Sequence, residues 1–376
     1  MIYKLRTYLL TVLSFFLYPF LSKQKLDFSE KRILIIPQLT RIGDLICVTP
    51  AFREIKRKYP KSFLAVVVSY RTAGIIKNNP YIDEIIILEE DEYRRVFGIL
   101  RFFKKIKSQN FDYSINIASS TMGTLISIFG LIPNRVKIIK YDRPFTETLT
   151  DWMNTHKTFY KGNERIPNLY LRTLNVFNIQ ILNKIKKEVF TTFDTENKSI
   201  EFFKKNNISE KDFIIGISVS AGNKVKEWEV EKFGKLSKLI LNKYNTKIIF
   251  IGRDSDKEKI SAVNKHIENK GIEVTDFSLE ELPSLMKRFN VFIAVDSGTI
   301  HIAHALGVPL VDIIGPVDSA EQAPDDDRSI IVRPDENIKP TIFALKPLGN
   351  PEQSRKALES ISPEQVFKAF NKLLTK

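Results

Sequence analysis

Apolar runs alternate with amphipathic helical patterns from Lys31 onward, and this alternation limits the folds open to the chain more than any other feature. In the first half the predicted strands are Ile33–Ile36, Leu64–Val68, Ile85–Leu88, Tyr113–Ile117 and Val136–Ile139. A second series has predicted strands at Phe213–Val219, Lys247–Ile251, Glu273–Thr275, Val291–Val295 and Leu310–Ile314. Such alternation is typical of parallel sheets covered by helices on both faces. It predicts an α/β fold with two Rossmann-like, doubly wound domains.

Helical patterns separate these strands. The first, Asp44–Lys58, turns Leu45, Val48, Phe52 and Ile55 to one face and so predicts an amphipathic helix. In the second half, helices are predicted at 229–243, 256–269 and 279–289. A closing helix begins at Ser362-Pro363-Glu364, because serine is a good cap and proline fits the first helical position.

The length of 376 residues suits two domains. We expect an N-terminal segment over residues 1–30, a first domain over 31–190 and a second over 191–376. Residues 140–190 are polar and rich in asparagine, and they predict helices leading to a linker near Ile181–Asp194.

The composition excludes several classes of protein. The single cysteine, Cys47, rules out an intramolecular disulfide and fits a reducing compartment. No Cys/His cluster has metal-ligand spacing, so no metal site is predicted. The net charge of +14 comes from lysines spread along helices, with no aromatic-interleaved basic block of the kind that binds single-stranded nucleic acid. Two explanations of this charge remain open: a lysine-rich solvated surface, or a basic protein that binds anionic lipid and a nucleotide.

The N-terminal stretch Tyr8–Ser22 is apolar and has Lys4, Arg6, Lys23 and Lys25 on its flanks. It is short for a hydrocarbon core of ~30 Å, Pro19 interrupts it, and no cleavage site follows. The stretch predicts a segment that lies in the cytoplasmic leaflet. A true span and a helix packed on the first domain remain open as alternatives.

The stretch from Asn290 to Pro316 predicts one βαβ unit with chemistry at the end of its first strand. The run Val291–Val295 stops at Asp296-Ser297-Gly298, a helical pattern containing Thr299 and His301 follows, and a second apolar run covers Pro309–Ile314. Free N–H groups and the positive end of a helix dipole favour a phosphate or pyrophosphate at such a turn. We therefore predict an anion and nucleotide cradle here.

The same stretch resembles a known family. The pattern D-S-G-x-x-H, followed by A-x-G-x-P and G-P-x-D, resembles the donor-site signature of glycosyltransferase family 9, which contains the heptosyltransferases of lipopolysaccharide assembly. A second block, Ile33–Pro60, resembles the opening strand, G-D turn and first helix of that family. The resemblance covers residues 31–335. It implies GT-B architecture with two domains facing a cleft, and inverting sugar transfer from ADP-heptose to a lipopolysaccharide core or related glycolipid.

The resemblance also assigns site residues. The aspartate of its G-D turn is the catalytic base, and this position is Asp44; the competing interpretation is that Asp44 only caps the helix. A small polar turn followed by lysine corresponds to Ser218, Ser220 and Lys226, with Lys224 as the rival phosphate ligand. Glu229 stands where the family usually has proline. An ammonium group here would make a divalent metal unnecessary for the leaving diphosphate.

An acidic residue after the next strand binds ribose or base in the family, and Asp256 fits this spacing best, with Asp254 close to it. A helix cap is the competing interpretation of Asp256. The remaining donor-binding residues are the turn and first helical residues of the βαβ unit: Asp296, Ser297, Gly298, Thr299 and His301. His304, three residues further, is expected to be packed rather than catalytic.

Other functions are kept as alternatives. One is a sugar-nucleotide epimerase of the same architecture, and another is a catalytically silent nucleotide-binding scaffold at the membrane. A dinucleotide oxidoreductase is disfavoured because no G-x-G-x-x-G follows a predicted strand. The expected protein is therefore a cytoplasmic enzyme attached to the inner face of the membrane, with no cofactor of its own.

Overall fold

The protein is described from a computed structural model, which covers residues 2–21, 30–141, 145–180, 185–345 and 349–375. The chain divides into two compact units, Met1–Lys186 and Lys187–Lys376. This division falls close to the expected boundary after residue 190. Part of the expected linker, residues 181–184, lies outside the described residues.

The first unit contains a parallel sheet because its strands are short apolar runs joined by helical connections. In the described residues these strands are β1 (Arg32–Ile36), β2 (Phe63–Val68), β3 (Glu84–Ile87), β4 (Tyr113–Asn116), β5 (Asn134–Lys140) and β6 (His156–Tyr160). Their order across the sheet is β3-β2-β1-β4-β5-β6. Strands β1 and β4 are therefore neighbours, with Ile33 opposite Tyr113, and the strand order reverses between them.

Helices cover this sheet. They are α1 (Ile2–Leu17), α2 (Ile42–Lys58), α3 (Tyr70–Ala73), α4 (Glu90–Arg94), α5 (Val96–Ser108), α6 (Thr121–Phe129), α7 (Phe145–Asp151) and α8 (Ile166–Arg172). The four predicted inward residues of α2, Leu45, Val48, Phe52 and Ile55, are all fully buried. Their burial confirms the amphipathic pattern of this helix.

The second unit repeats the arrangement. In the described residues its strands are β7 (Ile214–Ser218), β8 (Lys247–Ile251), β9 (Ile272–Val274), β10 (Val291–Val295), β11 (Leu310–Ile313) and β12 (Ser329–Val332). The sheet is parallel and has the order β12-β11-β10-β7-β8-β9. The α/β class and the two parallel sheets are thus confirmed.

The helices of the second unit are α9 (Phe193–Lys205), α10 (Val230–Lys243), α11 (Lys257–Lys265), α12 (Leu282–Met286), α13 (Gly298–Leu306), α14 (Ser319–Gln322), α15 (Pro351–Glu359) and α16 (Pro363–Leu374). Helix α13 ends at Gly307, whose φ of 74° is left-handed and favours glycine. Helix α16 begins as predicted, since the Ser362 hydroxyl accepts a hydrogen bond from the Gln365 amide.

Two edge strands escaped the sequence prediction. Strand β6 alternates half-buried and exposed residues, and it lies within the region where only helices were expected. Strand β12 has only one fully buried residue, Val332. Edge strands carry a weak apolar signal because one side of their backbone has no neighbour and their side chains are half exposed.

Helix α1 has an unusual distribution of polar and apolar side chains. Arg6, Thr11 and Ser14 are buried together with Leu10, while Leu5 and Phe16 are 71% and 69% exposed. The Ser14 hydroxyl donates to the Thr11 carbonyl at 2.6 Å and lies 3.6 Å from the sulfur of Met153. In the part of the chain that is described, no helix is both long and apolar enough to cross a membrane.

Candidate active site

Polar side chains collect at the carboxyl ends of the central strands in both units. In an open α/β sheet, ligands bind where the strand order reverses, because the two connections diverge there and leave a crevice. In the first unit this position lies between β1 and β4, and α2 with Asp44 follows β1. In the second unit it lies between β7 and β10, which end at Ser218 and just before Asp296.

Asp44 lies in the first turn of α2 and is only 4% exposed. The N-cap of this helix is Arg41, so the interpretation of Asp44 as the cap residue is wrong. The carboxylate accepts a hydrogen bond from the Tyr170 hydroxyl, with 3.1 Å between the phenol oxygen and Oδ1. Its Oδ2 lies 3.6 Å from Nη1 of Arg41. One oxygen of the carboxylate thus has a hydrogen-bond donor and the other lies near a cation.

Tyr170 comes from α8 and is buried. Burial, together with the negative charge of Asp44, raises the pKa of Tyr170 well above its ordinary value of 10.0. The phenol therefore stays protonated at any physiological pH. It is a permanent donor that fixes one oxygen of Asp44.

In the second unit, Lys226 and Asp296 form an ion pair at the end of β10. Nζ of Lys226 lies 2.7 Å from Oδ2 of Asp296. The lysine side chain is 19% exposed and the aspartate 3%. Lys226 belongs to a 3-10 turn over Lys224–Lys226, in which Lys224 is exposed. Of the two candidate lysines, Lys226 is the one that reaches the end of this strand.

The start of α13 has the geometry of an anion site. Its N-cap is Ser297, and no side chain in the described residues caps this helix by a hydrogen bond. The Ser297 hydroxyl instead lies 2.9 Å from the hydroxyl of Thr299. Ser297, Gly298 and Thr299 are all partly exposed. The first amides of α13 are thus free of side-chain acceptors and carry the positive end of the helix dipole.

The carboxyl group of Asp312 on β11 is buried near the ion pair of Lys226 and Asp296. Asp312 is opposite Ala294 in the sheet, so it lies on the same face as Asp296, which follows the last residue of β10. The residue has no exposed surface, and neither of its carboxyl oxygens has a hydrogen-bond partner in the described residues. Burial, and then the charge of Asp296, raises the pKa of Asp312 well above 3.8, although Lys226, Lys187 and Arg333 act against this.

His301 is buried in α13 and contacts a lysine that the sequence did not single out. Its Nδ1 lies 3.2 Å from Nζ of Lys187, which is itself only 3% exposed. Since an ammonium group has only donors, this contact requires the imidazole nitrogen to be the acceptor. Lys187 adds a second positive charge near Asp312.

Asp256 makes local contacts with Arg253 and Ser220. Its Oδ2 accepts from the backbone amide of Arg253 at 3.0 Å and from the Arg253 side chain at 3.2 Å. Burial would raise the pKa of Asp256, but hydrogen bonds from Arg253 and Ser220 outweigh it and lower the pKa. The structure thus brings Ser220 and Asp256 together, and the cap interpretation of Asp256 describes the contacts it makes here.

Three contacting residues were not predicted: Tyr170, Lys187 and Asp312. Asp312 left a signal, because it is a lone acidic residue inside the apolar run Pro309–Ile314. Tyr170 and Lys187 left none, since each lies more than a hundred residues from its partner. Across the described residues, no group of three or more His, Cys, Asp and Glu side chains is placed to hold a metal ion.

Comparison with known proteins places this chain in a family. The sequence profile of "Glycosyltransferase family 9 (heptosyltransferase)" matches residues 99–350. "Lipopolysaccharide heptosyltransferase 3" of Escherichia coli K12 is 23% identical over 344 residues, which are 88% of this chain and 95% of that protein.

Two solved structures share the fold. The glycosyl transferase family 9 protein of Veillonella parvula DSM 2008 has a TM-score of 0.77 at 22% identity, covering 93% of this chain and 99% of its own. The E. coli ADP-heptose lps heptosyltransferase II has a TM-score of 0.72 at 16% identity, covering 92% of this chain and 98% of its own.

Proposed function

The chain belongs to glycosyltransferase family 9, and from that premise we propose that it transfers heptose from ADP-heptose to a lipopolysaccharide core or related glycolipid. The choice of donor is supported by the E. coli ADP-heptose lps heptosyltransferase II, and the choice of acceptor by the E. coli lipopolysaccharide heptosyltransferase 3. In this proposal the first unit holds the acceptor and the second unit holds the donor.

One observation carries the donor side of the proposal. The ammonium of Lys226 lies at the end of β10, beside a helix whose first amides have no side-chain acceptor. A diphosphate offers the charge and the acceptor oxygens that both groups need. We assign Lys226 and the start of α13 to the diphosphate. Ser218, Ser220, Asp256, Asp296 and His301 complete the donor-binding set.

In the reaction, an acceptor hydroxyl oxygen attacks the anomeric carbon of the heptose, and the bond from that carbon to the diphosphate oxygen breaks. ADP leaves with the bonding electrons, and configuration at the anomeric carbon inverts. The hydroxyl proton goes to the carboxylate of Asp44, which acts as the general base. The Tyr170 hydrogen bond to Oδ1 supports this role because it holds the carboxylate in a fixed orientation.

Transfer is proposed to be independent of divalent metal. The negative charge that develops on the leaving ADP is neutralised by the Lys226 ammonium and by the dipole of α13. A metal ion supplies the same stabilisation in other transferases, so a resident cation can replace it.

We place the enzyme in the cytoplasm, attached peripherally to the inner face of the membrane. The lone buried thiol of Cys47 fits a reducing compartment. Attachment is supported by the exposed apolar side chains of α1 and by the lysines that flank it in the sequence.

The test begins with a thermal-shift panel of ADP, UDP, GDP and CDP, since a ligand that binds the folded state raises its melting temperature. ADP should give the largest rise in melting temperature, because we propose that the second unit binds it. Transfer is then measured with ADP-heptose and a purified core glycolipid, as ADP released, with and without a chelator. A larger shift with UDP overturns the donor assignment, and chelator-sensitive transfer overturns metal independence. Strong ADP binding with no transfer to any core glycolipid favours the silent scaffold.

A further inference from the structure

Helix α1 is inverted in polarity, since its polar side chains face the protein and its large apolar side chains face outward. The exposed apolar face of α1 consists of Leu5, Tyr8, Leu9, Val12, Leu13, Phe15 and Phe16. A surface helix of a globular domain normally has the opposite pattern. An apolar face of this kind is stabilised only where a medium other than water covers it.

The inner face shows that α1 is a fixed part of the first unit rather than a loose anchor. Leu10 is 1% exposed and belongs to the apolar core of the unit. The Thr11 hydroxyl donates to the Thr7 carbonyl at 2.8 Å, and Arg6 donates to the carbonyl of Tyr93. Because these contacts hold the helix in place, its outer face has a fixed direction on the unit.

Aromatic side chains mark one end of this face. Trp152, which follows α7, is 46% exposed. Its ring centroid lies 4.5 Å from that of Tyr18 and 5.6 Å from that of Phe15. Tryptophan and tyrosine prefer the interface between lipid and water, since their rings are apolar and their tips are polar.

Cations mark the other end. Arg6 lies over the Tyr93 ring, 5.4 Å from its centroid, and so joins α1 to α4. Beyond Tyr93, Arg94 and Arg95 are exposed but form ion pairs with Glu90 and Asp91. Helix α5 exposes Phe97 at 83%, and its sequence VFGILRFFKKIKS has exposed basic residues and no acidic ones. In the sequence, lysines at positions 4, 23 and 25 also flank the apolar stretch 8–22. Exposed apolar and basic side chains together are typical of helices that lie on anionic membranes.

We propose that the exposed apolar face of α1, bounded by Trp152 and by the basic helix α5, docks flat on an anionic lipid bilayer. The occupant is lipid rather than a second copy of the chain, because a copy would bring its own basic α5 against the basic residues of this one. This inference deepens the peripheral attachment proposed above by naming the surface and its lipid charge.

The test uses a matched pair of variants. Val12→Gln/Phe16→Gln removes two side chains of the face that are 55% and 69% exposed. Phe193→Gln/Ile200→Gln removes two side chains of the same kinds from α9 of the second unit, 78% and 42% exposed. Since all four are exposed, both variants should fold, which circular dichroism and the melting temperature verify.

Co-sedimentation with vesicles of phosphatidylglycerol and phosphatidylcholine, without donor or acceptor, measures binding. Val12→Gln/Phe16→Gln should bind roughly thirtyfold or more weakly than wild type, and the α9 variant within threefold of it. Equal binding of both variants overturns the proposal. Vesicles of phosphatidylcholine alone should bind wild type at least about tenfold more weakly. Equal binding to both lipids overturns the assigned charge.

Fluorescence locates the surface directly, because the chain has two tryptophans and Trp228 is only 3% exposed. Lipids brominated on the acyl chain should quench wild type but not Trp152→Phe. An absence of quenching in vesicle-bound wild type overturns the assigned face. A lipid-free dimer by light scattering that Val12→Gln/Phe16→Gln makes monomeric assigns the face to a second copy instead. ADP binding is measured separately. Loss of lipid binding with ADP binding intact contradicts this inference alone, whereas absence of ADP binding contradicts the proposed function.

Discussion

The two units carry the same sheet but unlike chemistry at its carboxyl edge. If the strands of each unit are numbered one to six along the chain, both sheets have the order 3-2-1-4-5-6. The strand order reverses between the first and the fourth strand. In the first unit, Asp44 has a tyrosine and an arginine as partners. In the second unit, Lys226 and Asp296 form an ion pair near Lys187 and the unpaired Asp312.

Because the two sheets have the same strand order, the chemical difference between the two candidate sites comes from the residues at their strand ends. One carboxylate that is held by a neutral phenol suits a proton acceptor. A cluster that mixes two ammonium groups with acids suits the binding of an anion. We therefore expect substitutions in the first unit to change turnover and those in the second unit to change donor affinity.

The largest effect is expected for Asp44→Asn. Turnover should fall on the order of 10²–10⁴-fold because the amide cannot accept the proton, while the Kd for ADP stays within about twofold of wild type. Released ADP in the presence of acceptor gives the rate, and calorimetry gives the Kd. Turnover within threefold of wild type would remove Asp44 as the base. A large rise in Kd would break the division of labour between the units.

Lys226→Ala should weaken ADP binding by roughly ten- to hundredfold, which corresponds to one lost charged hydrogen bond. Lys224→Ala is the matched control, since it removes an exposed lysine from the same 3-10 turn. Calorimetric titration of both variants should give a Kd within threefold of wild type for the control. The reverse ranking would transfer the phosphate role to Lys224.

Tyr170→Phe sharpens the comparison within the first unit. Without the phenol, Oδ1 of Asp44 loses its fixed donor and the carboxylate is less well oriented, so turnover should fall by about tenfold. The Kd for ADP should not change. Steady-state rates at saturating donor measure the loss. An unaltered rate would show that Tyr170 contributes packing only.

Asp312→Asn tests the unpaired acid of the second unit through stability. The unfolded chain ionises Asp312 at its ordinary pKa of 3.8, whereas the folded chain has a raised pKa. At a pH between the unfolded and the folded pKa of Asp312, the folded state holds a proton that the unfolded state has lost. The free energy of unfolding therefore falls as pH rises. The substitution Asp312→Asn removes this fall in the free energy of unfolding, because asparagine does not ionise.

The melting temperature of Asp312→Asn should therefore exceed that of wild type by a few °C at pH 8. The gap should close near pH 4, where the unfolded chain is also protonated at this position. Differential scanning calorimetry across pH checks both ends. A gap that is constant with pH would mean that Asp312 is ionised in the folded protein.

Much of the fold was predictable because buried parallel strands are continuous apolar runs. Strands β8 and β10 were predicted with their observed bounds. Strands β6 and β12 were missed, and in each of them only one residue is buried. The sequence also named Asp44, Lys226 and Asp296, since each follows a strand.

The sequence could not predict which site residues contact each other. It left Lys226 and Lys224 as rivals, and only their exposure and the 2.7 Å contact to Asp296 separate them. Tyr170 lies 126 residues from Asp44, so no local pattern links them. Contacts between distant elements depend on packing, which single-sequence patterns do not encode.

The ion pair between Lys226 and Asp296 has a consequence for competition among cellular anions. A ligand that takes the ammonium must first outcompete a carboxylate already 2.7 Å away. Inorganic phosphate gains little from that exchange, because it replaces one anion by another. A nucleoside diphosphate also reaches the first amides of α13 and gains the helix dipole. We therefore expect the carboxylate of Asp296 to keep abundant small anions from occupying the proposed donor site.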